Sequence, residues 1–118
     1  MSDYRKLDTW MKAKNLAVDT YRAVAGAPVA KDYGLRDQML RAAVSIASNI
    51  AEGYTRETPQ DRAHFLNIAR GSCAELETQL FIAEAAGLMG SDAASALRSS
   101  SEEVSRMAYA LRAKIRGS

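Results

Sequence analysis

Ser45, Asn49 and Glu52 follow one another at steps of four and three, with Gln38 two turns before Ser45. On a helix that spacing puts all four side chains on one strip. Two chemistries are open to such a strip. As a catalytic set it needs a base with a pKa near neutrality, and the only histidine, His64, lies elsewhere in the chain. As a structural set, hydroxyl, amide and carboxylate groups can satisfy one another beside an apolar face and so lock the register of packed helices. The residue types favour the structural set, with Asn49 and Glu52 at least partly buried. Glu52-Gly53 also reads as the bend out of the helix, because glycine turns a helix end with little strain.

Lys14 falls in the middle of an apolar face of the first helix, where burial is costly without a carboxylate partner. One reading is a tuned amine of the kind that forms imines. The other is a snorkelling side chain or an ion pair, with Glu52 and Glu75 as the chemical candidates. No pocket motif accompanies the lysine, which leaves the structural reading in front. Glu75 and Glu77 are two residues apart and point to different sides of a helix, so they do not form an acid and base pair. The single Cys73 cannot form an internal disulfide, and Cys73 with His64 is too few ligands for a zinc site. A di-iron bundle requires Glu-x-x-His motifs, whereas Asp61 stands three residues before His64. Gly71-Ser72 is too isolated for a phosphate loop and reads as close helix packing. The expectation is no catalytic residue, no metal and no cofactor.

Arg36, Arg41, Arg56, Arg62 and Arg70 form the most credible binding feature, falling on the second helix, the loop after it and the start of the third. Repeated around a ring of subunits, such a patch becomes a multivalent surface for the phosphates of RNA or DNA. Asp37, Glu57 and Asp61 could equally balance it as a solvated face. No aromatic residue interleaves with these arginines in the sequence, so base stacking is not indicated. Net charge is only +2, and the clearest asymmetry is a basic C-terminal tip of Arg106, Arg112, Lys114 and Arg116. There the cations also suit a helix C-terminus, each by a few tenths of a kcal/mol.

The elements that must position these residues are helices, since no alternating stretch is long enough to argue a strand. The first is expected from about Tyr4 to Ala25, with Leu7, Trp10, Met11, Ala17, Val18, Tyr21 and Val24 on one broad face and Gly26-Ala27-Pro28 at its end. The second runs from about Tyr33 to Gly53 or slightly beyond. Leu35, Met39, Ala42, Ala43, Ile46 and Ile50 form its apolar face, and Leu40, Val44, Ala47 and Ala51 widen that face past half of the circumference. A surface helix needs a stripe of only roughly 100°. The excess calls for a cover, and a second copy of the chain meeting Val44 and Ala47 is the simplest one.

Thr58 as N-cap and Pro59 at the first helical position open the third helix. Its seam is Phe65, Ala69, Ser72, Leu76, Gln79 and Ala83, flanked by Cys73 and Leu80, and Gly87 and Gly90 stop it. Ser91 is expected to cap the fourth helix, whose seam is Leu97, Ser101, Val104, Ala108, Leu111 and Ile115. Seams that alternate four and three favour nearly antiparallel packing. With short connections, the fold class is an all-α, antiparallel up-down-up-down four-helix bundle. At 118 residues, 47% hydrophobic and 25% charged, residues 1–118 read as a single domain. No apolar run approaches the roughly 18 residues of a membrane span. MSDYRKLDTW lacks the apolar core of a secretory signal, so the expected location is cytoplasmic.

Ser45 to Gly53, S-I-A-S-N-I-A-E-G, preceded by Gly34-Leu35 and Gln38, resembles the signature of the bacterial four-helix bundle proteins known as 23S rRNA intervening-sequence proteins. Leu7, Trp10, Ala13, Leu16 and Tyr21 resemble that family's first helix. Phe65-Leu66, Ile68-Ala69, Gly71-Ser72 and Glu75-Leu76-Glu77 resemble its third, and the resemblance runs from about Leu7 to Leu88. It implies a pentamer. Relatives include accessory proteins of diversity-generating retroelements, which look like nucleic-acid-binding partners of a reverse transcriptase. The resulting expectation is a non-enzymatic homo-oligomeric bundle that contacts RNA or DNA through the arginines and takes a reverse transcriptase or another protein as partner. The alternative is a structural or protein-interaction module that docks a protein and binds no nucleic acid.

Overall fold

Apolar residues spaced three and four apart fold into four helices in the computed structural model, which describes the backbone of residues 3–117 and the side chains of residues 3–114. They are α1 (Asp8–Ala25), α2 (Tyr33–Thr55), α3 (Pro59–Ala85) and α4 (Ser91–Gly117), with 3-10 turns at Tyr4–Lys6 and Pro28–Lys31. Among the described residues there is no strand, and no helix is long and apolar enough to cross a membrane. The seam residue Ile115 and the tip residue Arg116 lie outside the described side chains.

Local chemistry sets the ends. The Thr58 side chain accepts the Asp61 N–H at 3.1 Å, with Pro59 opening α3. Asp32 does the same for α2 by accepting the Leu35 N–H at 3.2 Å. At the other end of α3, Gly87 adopts φ +73°, a conformation cheap only for glycine. This lets the N–H groups of Gly87 and Leu88 close on the carbonyls of Glu84 and Ala83, satisfying acceptors the helix leaves open.

Two boundaries differ from the expectation. The first helix does not begin at Tyr4, because Asp3 accepts both the Arg5 N–H and its guanidinium. That fixes a tight turn, Leu7 follows with extended backbone, and α1 starts at Asp8. In α4 the first helical bond runs from the Ala94 N–H to the Gly90 carbonyl, which puts the cap at Gly90 instead of Ser91. The Arg98 guanidinium first, and Ser91 second, hold the Glu84 carboxyl below the usual carboxylate range.

The helices pack as a square, with α2 and α4 each touching both α1 and α3, and α1 diagonal to α3. Met39, Ile46 and Ile50 of α2 and Leu66, Leu76 and Leu80 of α3 are fully buried. From α1 only Leu16 and Val24 are sizeable buried apolar side chains. At roughly 1.5–3 kcal/mol per such side chain, α1 is less firmly anchored than α2 or α3. Its inward face is Thr9, Ala13, Leu16, Thr20 and Val24, while Met11, Val18 and Tyr21 point outward. The expected apolar face of the first helix therefore meets the core along one edge only, through Leu7, Trp10, Ala17 and Val24, and leaves Met11, Val18 and Tyr21 outside. Threonine is tolerated inside because the Thr20 hydroxyl donates to the Leu16 carbonyl at 2.7 Å. Buried Ser101 of α4 similarly donates toward Glu77 at 2.6 Å, with the Cys73 carbonyl at 3.3 Å.

The glycines reverse their expected roles. Gly53 does not bend the chain out of α2, which continues to Thr55. It is buried where α3 crosses, and a Cβ there would lie 3.1 Å from both the Arg62 carbonyl oxygen and Phe65 Cβ. Gly71, expected at a close packing contact, is exposed with nothing within 4 Å of a Cβ. Gly53→Ala should accordingly lower stability by about 1–3 kcal/mol through overpacking. Gly71→Ala should raise it by about 0.5–1 kcal/mol through helix propensity. Urea midpoints of the two variants against the wild type check both signs.

Candidate functional site

An apolar groove of about 600 Å³ runs between α1 and α2. It exists because three half-buried alanines, Ala17, Ala47 and Ala51, line its depth, while Trp10, Val18, Tyr21 and Val44 stand around it. Tyr21 is 51% and Val44 43% exposed, a large apolar surface to leave in water. The 3-10 turn before α1 places Tyr4 edge-on to Trp10, ring centroids 5.2 Å apart, and so walls one end. Lys14, Arg22 and Ser48 supply the polar lining. A second depression of about 500 Å³ continues past Tyr21 and Val44 to Asp37, Leu40, Arg41 and Ser45.

Val44 and Ala47, expected at an interface, thus line this groove, whereas the polar strip turns toward α3, with Ser45 also at the edge of the second depression. The Ser45 and Ser72 hydroxyls meet at 2.9 Å, linking α2 to α3. Asn49 donates to the Ser45 carbonyl at 2.8 Å and to its hydroxyl at 2.9 Å. The strip is shorter than expected. Gln38 is exposed, and Glu52 is exposed and paired with Arg56 four residues on, so neither belongs to the buried network. Helix twist carries both ends of the strip outward. What remains is a helix-to-helix clasp, and no general base adjoins it.

Lys14 is exposed beside the groove and makes no ion pair among the described residues. The rotation of α1 that turns Leu16 inward carries Lys14 outward, and the expected pairing with Glu52 or Glu75 within the chain does not form. Glu75 is exposed, and Glu77 turns instead toward Ser101. Cys73 is buried, and the loss of solvent pushes its thiol up to about 11. Among the described residues no group of three His, Cys, Asp or Glu side chains could hold a metal ion.

The five candidate arginines are dispersed. Arg36 binds Asp37 at 2.9 Å and the Ala30 carbonyl at 3.2 Å. Arg56 lies twenty residues further along the same helix and its cap, which at 1.5 Å per residue is about 30 Å. Arg56 and Arg62 share the α2–α3 corner, where Arg62 Nε donates to the Arg56 carbonyl at 2.6 Å. Arg70 faces α4. Contrary to the expectation of no aromatic neighbours, Arg36 lies 4.6 Å over Tyr33, Arg56 4.6 Å over Phe65 and Arg70 4.7 Å over Tyr109. Only Tyr33 and Arg36 are near enough in sequence for this to be visible there; the other pairs need the fold. Arg41 alone of the five is exposed, beside the groove. Ion pairs open to solvent on the helix surface, such as half-buried Arg56 with Glu52, are worth about 0–1 kcal/mol, which leaves their cations available to another anion.

The groove has a signal in the sequence that hydrophobicity conceals. Thr9, Ala13, Leu16 and Thr20 step by four, three and four, the spacing of a seam, and that seam leaves Trp10 at its edge and Val18 and Tyr21 outside.

Comparison with known proteins agrees with this architecture. The family model described as 23S rRNA-intervening sequence protein matches residues 5–110. Among solved structures, a protein of unknown function of the S23 ribosomal protein family from Bacteroides thetaiotaomicron superposes with a TM-score of 0.81 at 21% identity, over 88% of this chain and 97% of the other. At that identity the likeness speaks for the fold. No functionally curated protein matches the chain.

For the Ser45–Asn49–Ser72 clasp, Asn49→Ala should cost about 1 kcal/mol, because Ser45 keeps its bond to Ser72 and no buried partner is stranded. Chemical denaturation of Asn49→Ala measures it, with a destabilisation above about 3 kcal/mol marking a partner the clasp does not include.

Proposed function

The chain belongs to the 23S rRNA-intervening sequence protein family, and on that footing we propose that it is a non-enzymatic, cytoplasmic bundle that works as a homo-oligomer, with the α1–α2 groove as an assembly surface. The observation that carries this reading is the exposed apolar groove, with Val18, Tyr21 and Val44 open to solvent. Contiguous apolar surface of this kind marks interaction sites. The resemblance to the family adds the number, a pentamer. The polar side chains that a catalyst would need are spent on joining helices: Ser45, Asn49 and Ser72 between α2 and α3, Ser101 and Glu77 between α3 and α4.

A second reading adds nucleic acid. It is favoured by the family's name, which refers to an intervening sequence of 23S rRNA, and by Arg41, exposed beside the groove. Arg36, Arg56, Arg62 and Arg70 extend the basic character over the α2 and α3 surface, and a ring of subunits multiplies the weak contacts. Should nucleic acid not bind, the same ring serves as a docking platform for a protein, a reverse transcriptase among the partners the resemblance implies.

Val44→Asp tests the first reading. An unpaired charge in a buried interface is costly, so the variant should keep its helicity and sediment as a monomer where the wild type sediments as an oligomer. A wild type that is monomeric at micromolar concentration overturns the reading. For the second, Arg41→Glu should weaken RNA and DNA alike and lower the salt slope by about one for each phosphate that the arginine neutralises. Anisotropy titrations at two salt concentrations measure this, and absence of wild-type binding at low salt removes nucleic acid from the account.

A further inference from the structure

The groove is not the only uncovered apolar surface. The outward face of α3 presents Ile68, Gly71, Ala74, Thr78, Phe81 and Ile82, and from Asn67 to Ala86 its one exposed charged residue is Glu75. Phe81 is 58% and Ile82 51% exposed. Ile68, Gly71, Glu75 and Ile82 fall within about 60° of arc at 100° per residue, so the small side chains leave a straight track with one carboxylate near its middle. From Ile68 to Ile82 the track is about 21 Å long, against about 18 Å for the groove from Trp10 to Arg22.

The two surfaces lie on different sides of the molecule, because α3 is diagonal to α1 and contributes nothing to the groove. They are also opposite in charge. Lys14 and Arg22 line the groove and Glu75 stands on the track, and neither Lys14 nor Glu75 has an ion-pair partner among the described residues. Pairing groove with groove about a twofold axis would set Lys14 and Arg22 against their own copies and leave the α3 track wet. Pairing groove with track covers both surfaces and sets the Glu75 carboxylate against the groove's cations.

Building on the homo-oligomer reading, we propose that the α3 track of one copy seats in the α1–α2 groove of the next, with Glu75 of one meeting Lys14 of the other. The contact is heterologous, each copy offering two different faces, so it propagates from copy to copy and makes a ring where the rotation between copies closes. This gives Gly71 a use that the monomer lacks: a position without a side chain lets a neighbour's backbone approach.

Charge exchange tests the pairing. Lys14→Glu and Glu75→Lys should each raise the dissociation constant at least about tenfold in sedimentation, and the double variant should return to within about threefold of the wild type. Circular dichroism checks that these exposed substitutions leave the helices intact. Independently, a short bis-maleimide should link the Lys14→Cys, Glu75→Cys double variant into a ladder beyond dimers, neither single variant doing so, since Cys73 is buried. If the wild type is an oligomer but both charge reversals assemble normally, or if Lys14→Cys alone cross-links as a dimer, the groove-to-track pairing is wrong and the assembly reading stands. If the wild type is a monomer, both fall together.

Discussion

α2 and α3 carry more apolar circumference than the interior of one four-helix square can enclose. A square bundle offers each helix one inward corner, flanked by two neighbours. α2 fills its corner with Met39, Ile46 and Ile50 and still has Val44, Ala47 and Ala51 to place. α3 fills its own with Leu66, Leu76 and Leu80 and still has Ile68, Phe81 and Ile82. The surplus is collected on two continuous surfaces, which concentrates stickiness where it can be used.

How the square is held follows from the same asymmetry. The α2–α3 pair is clasped by Ser45, Asn49 and Ser72, brought close at Gly53 and closed at its corner by Arg62 on the Arg56 carbonyl. α4 joins through Ser101 and through Arg98, which binds Glu84 and lies 4.1 Å over the Phe81 ring. α1 buries only two large apolar side chains, Leu16 and Val24, and its exposed ion pair with α4, Lys12 to Glu103, adds little. A helix anchored more lightly than α2 or α3 is thus one wall of the groove. In the proposed assembly a neighbour that fills the groove also presses α1 onto the bundle, so association and the docking of α1 reinforce each other.

The fold is legible where sequence and packing obey one rule. Thr58 before Pro59, the four-three seams of the last two helices and the inward face of α2 all follow from spacing, and the structure has them. α1 defeats that rule because its apolar residues and its core residues differ. Hydrophobicity picks out Trp10, Val18 and Tyr21, whereas the core takes Thr9, Ala13 and Thr20, the last made acceptable by a hydroxyl bond that leaves no trace in the residue types. Gly53 and Gly71 have the same letter and opposite surroundings, which only the crossing of α2 over α3 distinguishes. The arginines look clustered because they are near in sequence, but a long helix carries Arg36 and Arg56 about 30 Å apart. Lys14 and Glu75 are complementary in charge, yet within one chain the fold keeps them apart.

Cys73 shows what the clasped α3–α4 seam does to reactivity. Its thiol is enclosed at the level of Ser101, and with its titration pushed up to about 11, only about one molecule in 10⁴ carries the nucleophilic thiolate at pH 7. Oxidants and electrophiles therefore meet an inert sulfur as long as the seam is shut. The rate at which this sulfur is modified reports how often α3 and α4 part, making the lone cysteine a built-in clock for the opening of the bundle.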